Sequence, residues 1–237
     1  MTQPAPAAAS ALTVLAPAAF ASALEALARE MEPGLVAFCY GPATGPAPDS
    51  ITSRLLAGDR VDLVILPEGL ARAEVAAGRL VGSPVRVFAS TVAFCVAAGA
   101  EIPDLSTAAG LWQALSEAPS IGLSAAGSGK FFRDVLLPAS GQGDTLSAKV
   151  QTITDRPVGQ AVADGLVALG FQQKAELLEV GGLAVIDDLA EVARNDTWLA
   201  LGRCAGREPL AAQALVDHLR TARGRQILSS HGLTPAP

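Results

Sequence analysis

Residues 61–67 read VDLVILP and are the stretch of this sequence that says most about the fold. A nearly continuous apolar run of this length is typical of a strand that is buried on both faces of a parallel sheet. Pro67 and Glu68 then predict the start of a helix, which Gly78 ends. A buried strand followed at once by a helix is the repeating unit of α/β proteins, so this stretch predicts that class.

The same alternation extends in both directions along the chain. Strands are predicted at 12–15, 35–40, 61–67, 85–98, 120–124, 149–154 and 166–172. Helices are predicted at 20–31, 50–58, 68–78, 107–118, 131–137, 158–165 and 173–178, and as a C-terminal pair with Pro209 in its first turn and Gly232 at its end. Strands that alternate with helices indicate an α/β fold with mostly parallel sheets flanked by helices.

The apolar run 85–98 is too long for one ordinary strand of a compact sheet. A strand that crosses between two lobes would account for its length. We therefore expect one lobe from 10–89 plus 198–237 and a second lobe from 90–197, joined by crossing hinge strands.

Composition excludes several classes of function. The chain has 17 Lys and Arg against 23 Asp and Glu, a net charge of −6, which argues against a nucleic-acid surface. Aromatic residues make up 4% of the chain, too few for stacking platforms for bases or sugars. His218 and His231 are the only histidines and Cys39, Cys95 and Cys204 lie far apart, so we predict free thiols, no metal site and no cofactor.

The chain has no apolar run long enough to cross a bilayer, because prolines and Glu25 interrupt the longest candidate at 5–28. The first residues, MTQP, carry no Lys or Arg, as a secretory signal would. The sequence as written therefore predicts a cytoplasmic protein without membrane insertion, or a periplasmic one if a signal has been removed.

Residues 120–132, SIGLSAAGSGKFF, place a glycine-rich turn between a strand and a helix. A phosphate-binding P-loop would need Gly at Ser124 and Ser or Thr at Phe131, so a nucleotide is not predicted. A turn of small residues at a helix start still favours an anion, because free backbone N–H groups point out of it. Lys130 could add a positive charge there.

Ligands of open α/β sheets bind beyond the carboxyl ends of the strands. Here those ends carry loops of small residues at 16–19, 41–45, 67–68, 124–130, 157–160 and 171–173. One of Gln172 and Gln173 is expected to face the ligand, and Arg156 could bind a carboxylate with two hydrogen bonds.

Four segments together resemble the type II periplasmic solute-binding proteins, in the branch around the molybdate-binding component of ABC transporters. They are RLLAGDRVDLVILPEGLARAEVAAGRLV, PSIGLSAAGSGKFFRDVL, PVGQAVADGLVALGFQQKAELLEVGGL and ALVDHLRTARGRQILSSHGLTP. The resemblance implies a two-lobed fold with a hinge, and an anion held in the cleft by hydroxyls and backbone amides. It also implies an ABC permease as a partner if the protein is exported.

The resemblance transfers ligand-binding roles position by position. The implied residues are Ala18, Ala19, Thr44, Ser124, Gly127, Ser128, Val158 and Gly159. One departure concerns the first turn, where molybdate binders typically have a serine and this chain has Pro17-Ala18-Ala19.

The segment GFQQKAELL is similar to a sub-branch that includes aconitate isomerase. That activity would move a double bond of an unsaturated tricarboxylate by a 1,3 proton shift, which needs cations for the carboxylates and a positioned base. The resemblance makes Lys130, Arg133, Arg156 and Lys174 candidate cations, and Glu68 or Lys130 the candidate base.

Three hypotheses follow for the function. The first is a solute-binding protein for a small oxyanion or carboxylate, and the second is an isomerase on the same scaffold. The third is a cytosolic sensor that reports ligand binding to another protein. Closure about the hinge on the bound anion is the expected mechanism in each case.

Overall fold

A computed structural model describes residues 11–45, 47–125, 127–206 and 210–237. The chain divides into two compact units. Unit 1 comprises the described residues up to Ala89 together with Thr197–Pro237, and unit 2 is Ser90–Asp196.

The eleven strands of the described residues are β1 (Leu12–Pro17), β2 (Val36–Gly41), β3 (Leu63–Pro67), β4 (Leu80–Ser90), β5 (Val92–Ala97), β6 (Ile121–Ser124), β7 (Val150–Ile153), β8 (Leu169–Gln173), β9 (Leu183–Ile186), β10 (Thr197–Cys204) and β11 (Leu233–Pro235). The α-helices there are α1 (Ala21–Arg29), α2 (Ile51–Ala57), α3 (Glu68–Ala76), α4 (Ala108–Glu117), α5 (Gly127–Phe131), α6 (Leu137–Ala139), α7 (Gly143–Ser147), α8 (Val158–Ala163), α9 (Lys174–Leu178), α10 (Leu210–Arg220) and α11 (Ala222–Ser230).

Unit 1 contains a six-stranded sheet in the order β11-β4-β10-β3-β1-β2. Strand β1 runs parallel to β2 and β3, whereas β10 runs antiparallel to β3. Leu63, Val64, Ile65 and Leu66 of β3 are all completely buried. Successive side chains of a strand point to opposite faces, so this burial confirms that the run VDLVILP is covered on both sides.

Unit 2 contains a five-stranded sheet in the order β7-β6-β8-β5-β9. Strand β6 runs parallel to β7 and β8, and β5 runs antiparallel to β8 and β9. Phe171 lies at the centre of its core, with ring centroids 4.6 Å from Phe94 and 5.5 Å from Phe132. All three rings are fully buried, so the few aromatic residues of the chain serve packing here.

The α/β class is confirmed, and both sheets are mixed. The single strand predicted at 85–98 is wrong, because β4 ends at Ser90 and β5 begins at Val92. The two strands belong to different sheets, and apolar alternation along the chain carries no information on the pairing partner. The helix predicted at 131–137 begins earlier, at Gly127, and continues through a single π-helical turn to Ala139. The prediction for Pro209 lies outside the described residues.

Helix α2 begins and ends as predicted. The Ser50 hydroxyl accepts the Ser53 N–H at 3.2 Å and donates to the Gly45 carbonyl at 2.9 Å. Gly58 ends the helix in the left-handed conformation with φ of 80°. These bonds fix the loop 41–45, which carries Thr44.

The three cysteines are free thiols, as predicted. Cys95 and Cys204 are buried and Cys39 is partly buried, and burial raises the pKa of Cys95 to about 12. Within the described ranges, no group of His, Cys, Asp and Glu side chains could hold a metal ion. None of the helices in those ranges combines the length and apolar composition that crossing a membrane requires.

Candidate functional site

The carboxyl ends of β6 and β8 bring two predicted ligand residues together in unit 2. Gly122 pairs with Gly170 in the parallel ladder, so two residues further on Ser124 lies beside Gln172. A Cβ atom on either glycine would lie 3.1 to 3.3 Å from Val158 of α8. Side chains alternate along a strand, so Ser124 and Gln172 are on the same side of the sheet as α8.

Ser124 and Ser128 form a pair of hydroxyls, called here the serine pair. Their Oγ atoms lie 3.1 Å apart, and Ser128 is buried with 3% exposure. Helix α5 begins at Gly127, and the first N–H groups of a helix have no partner within the helix. The turn therefore offers two hydroxyls and the amides of Gly127 and Ser128 to an anion.

Arg133 donates a hydrogen bond to this turn. Its Nη1 donates to the Ser124 carbonyl at 3.3 Å, and its Nη2 donates to Thr152 Oγ1 at 2.6 Å. Neither of these partners is a carboxylate, and no carboxylate among the residues that the structure describes pairs with Arg133. The guanidinium therefore places an uncompensated positive charge next to the serine pair.

Gln172 accepts hydrogen bonds from Val158 and Gly159, the two residues at the start of α8 that were predicted to bind the ligand. Its side chain is 4% exposed, and its Oε1 accepts the N–H of Val158 at 3.0 Å and that of Gly159 at 3.4 Å. In the following helix, α9, burial raises the pKa of Glu176.

Two of the candidate cations of unit 2 pair with carboxylates near the surface. Lys130 is 78% exposed, and its Nζ lies 3.4 Å from Asp134 one helical turn further on. Lys174 lies 2.5 Å from Asp187 and lowers the pKa of that carboxyl. Neither lysine is held at the serine pair.

Arg156 also has carboxylate partners. Its Nε and Nη2 donate to Asp155 at 3.0 and 2.8 Å, and its Nη1 donates to Asp164 at 3.1 Å. The hydrogen bond from Arg156 holds the pKa of Asp155 below its usual range. This arrangement braces the loop before α8 and leaves little of the guanidinium for a substrate.

Gln173 has a different role from its neighbour. Its Oε1 accepts a hydrogen bond of 2.6 Å from the hydroxyl of Ser90, which is 1% exposed. The backbone N–H of Lys174 bonds the Thr91 carbonyl at 2.9 Å. Gln173 therefore bonds the connection between β4 and β5 to the end of β8, while Gln172 is the one at the candidate site.

The predicted residues of unit 1 share one edge of its sheet. Pro17 at the end of β1 pairs with Gly41 at the end of β2, and the turn holding Ala18 and Ala19 follows the first of them. Ala18 and Thr44 are exposed and Ala19 is partly buried. The structure thus groups these three residues in unit 1, and groups the serine pair with Gly127, Val158, Gly159 and Gln172 in unit 2.

Glu68 opens α3 at the same edge of unit 1 and is bound by two arginines. Arg72 donates to it at 2.6 Å and Arg86 at 2.7 Å, and Arg86 also lies 5.1 Å from the ring centroid of Trp198. Both arginines hold the pKa of Glu68 below its usual range. A carboxylate kept ionised in this way is poorly suited to accept and return a proton near neutral pH.

Sequence reasoning missed Glu176. The only local signal was an acidic residue in the first turn of a predicted helix, which ordinarily indicates no more than a favourable interaction with the helix dipole. Helix α9 packs against β5, β8 and β9, and β5 lies far away in the sequence, so the partial burial of this side chain could not be predicted from neighbouring residues.

Comparisons with known proteins agree with this architecture. An aconitate isomerase from a Pseudomonas species is 30% identical over 198 residues, which cover 83% of this chain and 76% of that enzyme. A substrate-binding domain assigned to a molybdenum ABC transporter of Clostridium difficile superposes with a TM-score of 0.76 at 17% identity, over 95% of this chain and 99% of that one. The periplasmic molybdate-binding protein of Azotobacter vinelandii gives a TM-score of 0.71 at 17% identity, over 95% and 100%.

The two solved structures show that the fold is that of the type II periplasmic binding proteins. The model of the family described as bacterial extracellular solute-binding protein matches residues 12–234, nearly the whole chain. The chain therefore belongs to the bacterial extracellular solute-binding protein family.

Proposed function

We propose that this protein binds a small anion through the serine pair, the first amides of α5 and the charge of Arg133. The proposal rests on the guanidinium of Arg133, which pairs with no carboxylate of the described residues. This group donates a hydrogen bond to the turn that presents the two hydroxyls and the first N–H groups of α5. Hydrogen bonds to a charged group are about twice as strong as those between neutral groups, so such a turn prefers an anion to a neutral solute.

The ligand class that we propose is a di- or tricarboxylate rather than a tetrahedral oxyanion. The relative at 30% identity acts on aconitate, a tricarboxylate. The first turn of unit 1 also presents Ala18 and Ala19, without the serine typical of molybdate binders. Ala18, Ala19 and Thr44 are proposed as further ligand contacts, and each can be tested separately by substitution.

A thermal-shift and calorimetry screen tests this proposal. Tricarballylate and trans-aconitate should raise the melting temperature, because a ligand present at 100 times its Kd stabilises the folded state by about 2.7 kcal/mol. Molybdate and sulfate at the same concentration should give a smaller shift. If none of these anions raises the melting temperature, the proposal is wrong.

The Ser128→Ala variant tests the site itself. It removes one member of the serine pair and should weaken tricarballylate binding about 10- to 150-fold, the value of one lost hydrogen bond to a charged group. Ser147→Ala is the matched control, because Ser147 is exposed on α7 of the same unit. Equal affinities of the two variants would contradict the assignment of the site.

Aconitate isomerisation is the second candidate function. It is favoured by the relative that is 30% identical, an aconitate isomerase. Proton NMR of cis-aconitate incubated with the protein tests it directly, because the vinyl signals of the two isomers are distinct. A binder without this activity returns cis-aconitate unchanged.

The transport role has a further requirement. If the protein is a binder, we propose that it works outside the cytoplasm, as the name of its family implies, and that it passes its ligand to an ABC permease. Fractionation of cells that express the gene with its natural upstream sequence checks this expectation. Retention of all the protein in the cytoplasm would contradict the transport role and leave anion binding in place.

A further inference from the structure

Arg86 of unit 1 has two guanidinium nitrogens that are not used within the protein. Its Nε donates to Glu68 Oε2 at 2.7 Å, and its two Nη groups have no hydrogen-bond partner among the described residues. The side chain is 52% exposed, so a ligand can reach these groups. The two N–H groups at the end of a guanidinium match the two oxygens of a carboxylate.

The ring of Trp198 holds this guanidinium in place. Leu199 pairs with Pro67 across β10 and β3, so Trp198 lies beside Glu68 at the end of β3. The Cζ atom of Arg86 is 5.1 Å from the centroid of the Trp198 ring, a distance at which the π electrons attract the positive charge. A donor that is already fixed loses little conformational freedom when it binds a ligand, and this favours affinity.

Arg72 binds the same carboxylate in a different way. Its Nε and Nη2 both donate to Oε1 of Glu68, at 3.2 and 2.6 Å. The fork of Arg72 is therefore used on Glu68, and its charge balances that carboxylate. Two positive groups and one negative group leave this cluster with a net charge of +1. Because the Nη groups of Arg86 have no partner in the described chain, this excess charge is available there to an anion.

The strand register places the cluster at the edge of the sheet that carries the predicted ligand residues of unit 1. Leu15 of β1 pairs with Val64 of β3, so these neighbouring strands end close together along the sheet. Ala18 and Ala19 come directly after β1, and Glu68 comes directly after β3. Neighbouring strands lie about 4.8 Å apart. The partner of Arg86 is therefore close to the first turn of unit 1.

We infer that Arg86, held against Trp198, binds a carboxylate group of the ligand. This inference rests on the proposed function, because it assigns a second cation to the di- or tricarboxylate that the serine pair is proposed to bind. A ligand with several carboxylates gains from several groups of charged donors, whereas a tetrahedral oxyanion presents one charged centre. Arg86 would therefore contribute to a preference for polycarboxylates over sulfate or molybdate.

Arg86→Met tests this inference in the full-length protein. Methionine retains an unbranched apolar side chain but removes the charge and the donors. Calorimetry should show an affinity for tricarballylate about 10- to 150-fold below that of the wild type, the value of a lost hydrogen bond to a charged group. Arg72→Met is the matched control, because it removes one positive charge from the same cluster, and it should change the affinity less than threefold. Arg86→Lys should recover only part of the loss, since lysine keeps the charge without the planar fork.

The outcomes separate the inference from the proposed function. If Ser128→Ala weakens tricarballylate binding but Arg86→Met binds as tightly as the wild type, the inference is overturned and the anion-binding function stands. Equal losses in Arg86→Met and Arg72→Met would show that the cluster acts only through its charge, which also overturns the inference. A wild type that binds no polycarboxylate overturns both. Should Arg86→Met fail to fold, Arg86→Lys decides, and full affinity in that variant overturns the inference.

Discussion

Substitution of Gly129 by alanine tests the geometry of the serine pair. Gly129 is buried in α5, and a Cβ atom built on it would lie 1.9 Å from the Ser124 carbonyl oxygen and 3.1 Å from Nη1 of Arg133. An ordinary C···O contact is about 3.3 Å, so the two groups must separate by about 1.4 Å. The obstacle is backbone, which cannot rotate aside as the end of a flexible side chain could.

The cost follows from this displacement. Forcing an extra methyl group into a packed site typically costs about 1–3 kcal/mol. The movement of the Ser124 carbonyl also lengthens its bond from Arg133, now 3.3 Å, and shifts the hydroxyl pair. We therefore expect Gly129→Ala to lower the free energy of unfolding by about 1–3 kcal/mol and to weaken anion binding at least about tenfold.

Urea unfolding and calorimetry with tricarballylate measure both effects. Gly127→Ala is the control, because a Cβ there meets no atom within 4 Å. Replacing a helical glycine by alanine should stabilise that variant by about 0–1 kcal/mol. If Gly129→Ala is as stable as Gly127→Ala, or binds the anion as well as the wild type, the close approach of α5 to the end of β6 is not what shapes the site.

Two further predictions concern the ionisable groups. Burial raises the pKa of Glu176 above the ordinary value of 4.5, so the stability that it contributes is fully present below pH 4.5 and is lost as the pH rises through the raised pKa. Urea unfolding between pH 4 and 8 should therefore show the free energy of unfolding of Glu176→Gln rising relative to that of the wild type as the pH rises, and a relative fall would contradict the burial effect. Lys130→Ala and Glu68→Gln should each change tricarballylate affinity and any isomerisation rate less than about fivefold, because Lys130 pairs with Asp134 at the surface and Glu68 pairs with Arg72. A larger loss of affinity in calorimetry, or of isomerisation rate in NMR, would indicate that the substituted residue belongs to the site.

Local signals in the sequence were sufficient for the elements that position the site. The run at 61–67, the Ser50 cap and Gly58 are each decided by a few adjacent residues, and the structure confirms all three. The turn after β6 was also predictable, because glycines and serines before a helix leave N–H groups free. These features depend on backbone conformation, which neighbouring residues largely determine.

The remaining features depend on contacts between distant parts of the chain. Thr91 separates two strands that have equally apolar sequences, and only their partners, such as Gln173 for Val92, show that they belong to different sheets. Gln172 was predicted at the site, but nothing local shows that its carbonyl oxygen faces Val158.

The state of Gln172 also indicates where the binding energy for an anion must originate. An anion that used the amides of Val158 and Gly159 would have to displace a carbonyl oxygen that already satisfies them. That exchange replaces hydrogen bonds with hydrogen bonds, and the net value of one such bond is only about 0.5–1.5 kcal/mol. In the serine pair only one of the two hydroxyl protons is used between the two side chains, so the other can be donated to an anion, and Arg133 contributes charge without a competing carboxylate in the described chain. Changes at Ser128 should therefore affect affinity more than changes at the start of α8, whose main effect would be on the position of Gln172.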